Sequence, residues 1–367
     1  MITQMQSPLR GVDQVLRFSE TNTFLDVIKK SFAKHITSRF EDAMTWLQEI
    51  DQNRYEHILG KKAQLDNVEF QRFLLYPKVS NVLNLVRQDI VLQVSDLLIR
   101  RLDAEVAVKY GTFDTDQYHK LYNATNSCFV YRDDVTGKFV TQNLLQISGA
   151  VSMDFISADF KQPNVTLTSV TPEQAVTAHS RIQESLNPLK NLLPFDFIES
   201  LEDVIHVRQL DENEKLSFIS CTSNMLCRQI NLMAKDFATL SNEQLADAII
   251  HEAIHSLLDQ LDYVTLWSPI FPESEEHTII SPWTGNRINM DGGYTQAIFV
   301  WYGLYNLWSN TAVRAGYQEA YADKRLTMIR KGFQNFEPEQ SFASVNIDIS
   351  EDLLSVYRDM KNHVLSN

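Results

Sequence analysis

Two histidines four residues apart stand in an apolar segment of strongly helical character. Residues 251–255 read His-Glu-Ala-Ile-His, which is the H-E-x-x-H pattern of metal-binding helices. Residues four apart lie on the same face of an α-helix, so His251 and His255 can direct both imidazoles at one ion. Glu252 follows the first histidine and can reach a metal-bound water as a general base. These residues predict a metal site with Glu252 as its catalytic carboxylate.

The flanking sequence favours a buried helix around this motif. Ser241-Asn242-Glu243-Gln244 forms an S-x-x-Q capping box, which predicts a helix start there. Two histidines in such a helix are also compatible with ordinary core or surface positions. The capping box and the apolar flank favour the metal site, and that flank consists of Leu245, Ala248, Ile249, Ala253, Ile254, Leu257 and Leu258.

Two histidines do not complete a metal site. Catalytic zinc takes three protein ligands and an open position, and non-haem iron takes two histidines with a third ligand. Leu258 and Leu261 stand where the extended H-E-x-x-H-x-x-G-x-x-H pattern has its glycine and third histidine. The candidates for the third ligand therefore lie farther along: Gln296, with Asp291 or Glu319 as alternatives. Asp291 equally suits a helix N-cap, and Glu319 a solvated helix face.

Composition limits the class of protein. The chain has 367 residues, 44% of them hydrophobic, enough for one large or two ordinary domains. A net charge of −14 argues against nucleic acid or an anionic membrane surface as the main partner. The three cysteines have no regular spacing and do not predict a disulfide framework. With neither an apolar signal segment nor a run of about eighteen apolar residues, we expect a cytoplasmic protein without a membrane partner.

The sequence changes character near residue 110. Apolar residues at three- and four-residue spacing predict long helices over Phe24–Ile50 and Val79–Val106. From Gly111 to Thr168, β-branched and aromatic residues predict strands. We therefore expect an α+β protein, with a helical N-terminal region over residues 1–110 and a metal-binding catalytic domain over residues 111–367.

The second region should place a short mixed or antiparallel sheet before the motif helix. Thr171-Pro172-Glu173-Gln174 is a further capping box, and its helix should end near Ser185. A sheet that leads into an H-E-x-x-H helix is the plan of zincin-like catalytic domains, whose edge strand can hold a peptide. We expect such a core over about residues 204–333. Its predicted strands are Val204–Leu210, Leu216–Cys221 and Arg228–Met233, and its later helices are Gly293–Trp308 and Arg314–Phe333.

The segment after the motif carries a resemblance to a family. It reads Ser281-Pro282-Trp283-Thr284-Gly285-Asn286-Arg287, and later Gly292-Gly293-Tyr294-Thr295-Gln296-Ala297-Ile298-Phe299-Val300. This resembles the C-terminal half of the H-E-x-x-H peptide-modification proteins, in which S-P-W…R-P and G-x-x-H segments follow the motif helix. The resemblance extends from about Val204 to Phe333. Some members resemble Fe(II)- and 2-oxoglutarate-dependent peptide β-hydroxylases that act on ribosomally made precursor peptides.

This resemblance implies an Fe(II)/2-oxoglutarate-dependent hydroxylase that modifies a side chain of a precursor peptide. Arg287 then becomes the candidate for a bidentate bond to the distal carboxylate of 2-oxoglutarate, and Trp283 a candidate wall of the cofactor pocket. Their other interpretations are a loop arginine paired with an acidic neighbour and an aromatic loop anchor. The third histidine of the family falls on Thr295 to within about one residue. Tyr294, Gln296 or Asp291 would then have to replace it.

Two other hypotheses stay open. In a zinc peptidase, zinc would lower the pKa of its bound water, Glu252 would be the general base, and Glu319 the third ligand. In a non-enzymatic scaffold, the chain would bind a peptide and keep a degenerate metal helix, which accounts for the missing third histidine. The two imidazoles do not separate iron from zinc, because they suit both ions.

Overall fold

The computed structural model describes residues 7–19, 23–112, 120–123, 128–132, 139–156, 165–223, 226–269, 278–344 and 349–366. Helices predominate over strands, so the predicted α+β class is confirmed. Within the described residues, no helix is both long and apolar enough to cross a membrane.

The helices differ greatly in length, and the long ones include the segment with the histidine motif. The helices are α1 (Pro8–Leu16), α2 (Phe24–Ile50), α3 (Gln52–Lys62), α4 (Asn67–Leu75), α5 (Pro77–Asn84), α6 (Val91–Tyr110), α7 (Pro172–Leu186), α8 (Leu193–Leu201), α9 (Asn242–Thr265), α10 (Thr295–Ser309), α11 (Thr311–Arg314), α12 (Glu319–Asn335), α13 (Pro338–Ala343) and α14 (Glu351–Ser366). The strands are β1 (Lys120–Asn123), β2 (Cys128–Arg132), β3 (Phe139–Asn143), β4 (Leu145–Gln146), β5 (Ser152–Asp154), β6 (Leu167–Thr168), β7 (Val204–Leu210), β8 (Phe218–Cys221), β9 (Gln229–Ala234), β10 (Thr278–Ile280) and β11 (Arg287–Asn289).

The helical spacing of apolar residues in the N-terminal part predicts helices, and helices form there. Helix α2 has the predicted bounds. The segment Val79–Val106, predicted as one run of helical spacing, is instead divided between α5 and α6 by a 3₁₀ turn at Gln88–Ile90. Helix α6 ends at Tyr110, and Gly111 after it has a left-handed φ of 66°, which favours glycine at a helix end.

The chain separates into two compact units that interleave along the sequence. One contains Met1–Lys29, Ser180–Leu201 and Ala238–Asn367, and the other contains Lys30–His179 and Glu202–Phe237. These units group residues that contact one another in space. The domain boundary near residue 110, expected from the sequence, stays a prediction.

The unit with residues 30–179 and 202–237 contains the main sheet. Its strand order is β4-β5-β7-β9-β8, and β6 pairs with the end of β7. β5, β7 and β9 run parallel to one another, and β4, β6 and β8 are antiparallel to their neighbours. The sheet is therefore mixed, as predicted. All of β9 and all but one residue of β7 are buried, as expected for central strands with both faces covered.

The other unit is built around α9 and α10. Helix α9 packs against α8 and α10, and α10 also contacts α1, α12 and α14. Nearly every side chain of α10 is buried, as expected for a helix enclosed by others. At Gly303 a Cβ atom would lie 2.5 Å from Cδ1 of Ile254, so glycine allows α10 to approach α9 closely. The sheet belongs to one unit and α9 to the other, and their zincin-like arrangement stays a prediction.

The close approach of Gly332 to Trp283 gives a test of this packing. A Cβ atom at Gly332 of α12 would lie 2.0 Å from Cδ1 of the buried Trp283 indole. We expect Gly332→Ala to lower the free energy of unfolding by about 1–3 kcal/mol, because a rigid ring must move in a filled core. Chemical denaturation measures this change.

Gly60→Ala is the matched control for this substitution. Gly60 also lies in a helix, α3, but nothing lies within 4 Å of a Cβ added there. The better helix propensity of alanine should raise stability at this position by about 1 kcal/mol. If Gly332→Ala raised the free energy of unfolding as much as Gly60→Ala, this would contradict the close packing of Trp283 against Gly332.

Candidate metal site

Helix α9 carries the motif and starts where the sequence predicts. Ser241 Oγ accepts a hydrogen bond from the Gln244 amide at 3.1 Å, and Gln244 Oε1 accepts one from the Ser241 amide at 3.0 Å. The predicted capping box is thus confirmed. It satisfies two of the amide groups that a helix start leaves unpaired, and it sets the position of everything that follows on α9.

Four polar residues form one ridge along this helix. Asp247, His251, His255 and Asp259 follow one another at intervals of four residues, the spacing of a ridge on a helix surface. Each has a partner on α10 or α12, as described below. The ridge therefore lies in the packed interior of this unit.

The two histidines of the ridge are neighbours. Their ring centroids are 5.1 Å apart, with 53° between the ring planes, and both side chains are half-buried. One ion held at about 2.0–2.1 Å by a nitrogen of each ring needs two imidazoles side by side. The backbone of α9 supplies that arrangement.

Burial determines the protonation of His251. It lowers the pKa of His251 from 6.5 to about 4, and the nearby charge of Glu252 opposes this shift only in part. The imidazole is therefore neutral near pH 7, which is the form that binds a metal ion. Glu252 itself is buried, with 3% of its surface exposed, directly beyond His251 in the helix.

An aromatic side chain of α10 covers His251. Trp301 meets the His251 ring edge-to-face, with 6.3 Å between centroids and 89° between planes. The Arg325 guanidinium of α12 lies 4.7 Å from the centre of the Trp301 ring. Arg325 also pairs with Asp247, which accepts a further hydrogen bond from the indole N–H of Trp308 at 2.7 Å.

A second set of contacts surrounds His255. Its Nδ1 is hydrogen-bonded to Oε1 of Gln296, which lies in the first turn of α10. The amide nitrogen of Gln296 donates to Oδ1 of Asp259 at 2.8 Å. Asp259 is 8% exposed, and its burial raises the pKa of this carboxyl above the usual value. Gln296, the predicted third ligand, thus does contact the motif, through His255.

The two predicted cofactor residues have different surroundings. Trp283 is 6% exposed and stacks on Trp301, with 6.0 Å between centroids and 16° between planes, and it also packs on Phe333. It therefore forms a second layer behind the tryptophan that covers His251. Arg287 is exposed on β11, where its guanidinium donates to Thr278 Oγ1 of β10 at 2.7 Å.

The alternative third ligands lie in different settings. Glu319 is 81% exposed at its side chain and pairs with Arg314 at 3.1 Å. Asp291 lies in a π-helical turn, Met290–Tyr294, and its side chain is outside the described part of the chain. Among the described side chains, no group of three or more His, Cys, Asp or Glu is placed to hold a metal ion. The assignment of His251 and His255 as metal ligands therefore stays a prediction, and so does the identity of a third ligand.

Sequence reasoning missed Asp259, Trp301 and the pair of Arg325 with Asp247. A signal for the two aspartates exists, because they extend the four-residue spacing of the histidines one turn in each direction. Trp301 and Arg325 reach the ridge from separate helices, so no local pattern indicates them.

The low pKa of His251 predicts a pH dependence of stability for the metal-free protein. Between pH 6.5 and about 4, the unfolded chain binds a proton at this residue and the folded chain does not. The free energy of unfolding should therefore fall as the pH drops through this window. In His251→Gln this contribution is absent, and we expect a shallower slope in urea denaturation series. If the free energy of unfolding depended on pH in the same way in both proteins, this would contradict the lowered pKa of the buried His251.

Comparison of the sequence with protein-family models and with curated proteins found no match. The resemblance to the peptide-modification family therefore stays a prediction.

Proposed function

We propose that the protein is a metal-dependent enzyme that modifies peptides, with His251 and His255 as ligands of one metal ion. The proposal is carried by the pair of imidazoles, 5.1 Å apart on one face of α9. Burial keeps His251 neutral at pH 7, as a ligand must be. A buried carboxylate, Glu252, stands beside this pair to handle protons.

The ion that we favour is Fe(II), with 2-oxoglutarate as cosubstrate and a ribosomally made precursor peptide as substrate. This choice follows the resemblance of the Ser281–Val300 segment to peptide β-hydroxylases. If bound, Fe(II) would use dioxygen as the oxidant, with one oxygen atom going to the decarboxylation of 2-oxoglutarate to succinate and CO2 and the other to a hydroxyl on a carbon of a peptide side chain. The residues of the chain have the tasks of binding, orienting and shielding.

Each task falls to a named side chain. His251 and His255 hold the ion, and Trp301 with Trp283 behind it keeps water from the His251 side of the site. Arg287 binds the distal carboxylate of the cosubstrate. Its guanidinium has five N–H donors, and the bond to Thr278 Oγ1 occupies only one of them.

A zinc peptidase is the second candidate. The observation in its favour is the burial of Glu252 immediately after His251, since a shielded carboxylate is a more effective general base toward an attacking water. In this version zinc replaces iron and Glu319 is the third ligand. Glu319, which is exposed and paired with Arg314, would then have to move when the metal binds.

Anaerobic titration separates these functions. Metal-free protein is loaded with Fe(II), 2-oxoglutarate is added, and the visible charge-transfer band of the chelated iron is recorded. We expect a band with the natural protein and none with His251→Ala or His255→Ala, because each substitution removes a ligand. Arg287→Ala should weaken the band by lowering the affinity for 2-oxoglutarate. Arg87→Ala, at an exposed arginine paired with Asp89, is the control and should leave the band unchanged.

The same titration shows which proposal fails. Tight zinc binding through the histidines without an iron band would reject the oxygenase and favour the peptidase. In that case, unchanged zinc content in Glu319→Gln would exclude Glu319 as the third ligand. Failure to bind either ion would reject a metal enzyme altogether and favour the non-enzymatic scaffold.

A further inference from the structure

Two successive hydrogen bonds connect His255 with Gln296 and Gln296 with Asp259. His255 Nδ1 meets Gln296 Oε1, and Gln296 Nε2 meets Asp259 Oδ1 at 2.8 Å. Asp259 lies one turn beyond His255 on α9, and Gln296 lies on α10. These two hydrogen bonds therefore connect α9 and α10 beside the imidazole ring of His255.

The direction of these hydrogen bonds follows from what each group can donate. A carboxylate accepts only, so Asp259 takes its bond from the NH₂ group of Gln296. The carbonyl oxygen of the same amide then faces His255 and can only accept. The proton between the two must therefore sit on Nδ1 of His255, and in the neutral imidazole this leaves the lone pair on Nε2.

We infer that Gln296 and Asp259 are positioning residues that hold His255 in the tautomer with a free Nε2, and that Gln296 is not itself a metal ligand. The inference rests on the proposed function, because a metal ion is what the free Nε2 would bind. Ligating histidines commonly donate their other ring N–H to an oxygen acceptor, which fixes the tautomer and the ring orientation. The position of Gln296 after the motif makes it a candidate ligand in the sequence, but the sequence does not indicate which way its amide faces.

The geometry leaves Gln296 little capacity for a second role. Its ligand atom would be Oε1, which is already bonded to the protonated nitrogen of His255. The two nitrogens of one imidazole point to opposite sides of the ring, so an ion on Nε2 lies away from this oxygen. Rotating the amide to release Oε1 would also break its bond to the buried carboxylate of Asp259.

The backbone beneath Gln296 is held in place from the other side. The carbonyl oxygen of Thr295 accepts a hydrogen bond at 3.0 Å from the hydroxyl of Tyr357, which is fully buried on α14. The start of α10 is thus fixed between α9 and α14. A positioning residue needs such support, because the orientation of His255 is only as precise as that of its partner.

The test reads the tautomer of His255 directly. Metal-free protein with ¹⁵N-labelled histidine is studied at mildly alkaline pH, where long-range ¹⁵N–¹H correlations distinguish the two neutral tautomers. We expect His255 to carry its proton on Nδ1 in the natural protein. Gln296→Ala should abolish this preference, and Asp259→Leu should weaken it, since the amide of Gln296 is then free to turn.

A second readout is metal affinity, measured by competition with a chelator for Zn²⁺ and for Fe²⁺. Loss of the partner of a ligating histidine typically costs 10–100-fold in affinity, and we expect a decrease of about this size for Gln296→Ala. Gln52→Ala is the matched control: it makes the same substitution at an exposed glutamine of α3, whose amide donates to Glu56 at 2.9 Å, and should change neither readout.

The outcomes separate this inference from the proposed function. A proton on Nε2 of His255 in the natural protein, or Gln296→Ala without effect on the tautomer, would overturn the positioning role. Loss of an oxygen ligand in the X-ray absorption spectrum of metal-loaded Gln296→Ala, with the tautomer unchanged, would make Gln296 a ligand instead. If the natural protein bound no metal, the proposed function would fail, whereas the tautomer would still show whether Gln296 orients His255.

Discussion

The site depends on a polar ridge enclosed between packed helices. The ridge lies on the side of α9 that packs against other helices, and it consists of Asp247, His251, His255 and Asp259. Burying a polar group there without a hydrogen-bond partner would cost its desolvation free energy, on the order of several kcal/mol. Each of them meets a particular side chain, and α10 supplies the neighbours of all four: Trp308, Trp301, Gln296 and Gln296 again. Because hydrogen bonds need a narrow range of distances and angles, those of Trp308 and Gln296 also restrict the position of α9 against α10.

The aromatic and charged groups around His251 form successive layers. Trp301 covers the imidazole, Trp283 stacks on Trp301, and Arg325 lies over the same indole while paired with Asp247. The pair with Asp247 balances the charge of Arg325 in part, and the remaining positive charge contributes, after burial, to the lowered pKa of His251. The indoles of Trp301 and Trp283 thus form an apolar side of this cluster, next to the ion pair of Arg325 with Asp247.

Local patterns predicted the local features of this protein. The capping boxes at Thr171 and Ser241, the helix α2 and the strand β7 follow from signals within a few residues, and the structure has them. The break between α5 and α6 was missed because helical spacing continues through it. The neighbours of the histidines were missed for a different reason: Trp301 and Arg325 come from helices whose packing no periodicity reveals. The amide of Gln296 could be named as a candidate from the sequence, but its orientation depends on Asp259.

The π-helical turn Met290–Tyr294 has a consequence for how this chain is aligned with others. A π turn takes one residue more than an α-helical turn, and one residue corresponds to a rotation of roughly 100° about the helix axis. An insertion of this kind just before α10 changes which side chain faces α9, while the sequence on either side stays recognisable. Counting positions along the predicted resemblance points to Thr295, which is fully buried, although Gln296 is the residue that reaches His255. Equivalence between relatives across such a turn has to be judged by the direction of side chains in space, since numbering in a sequence alignment does not preserve it.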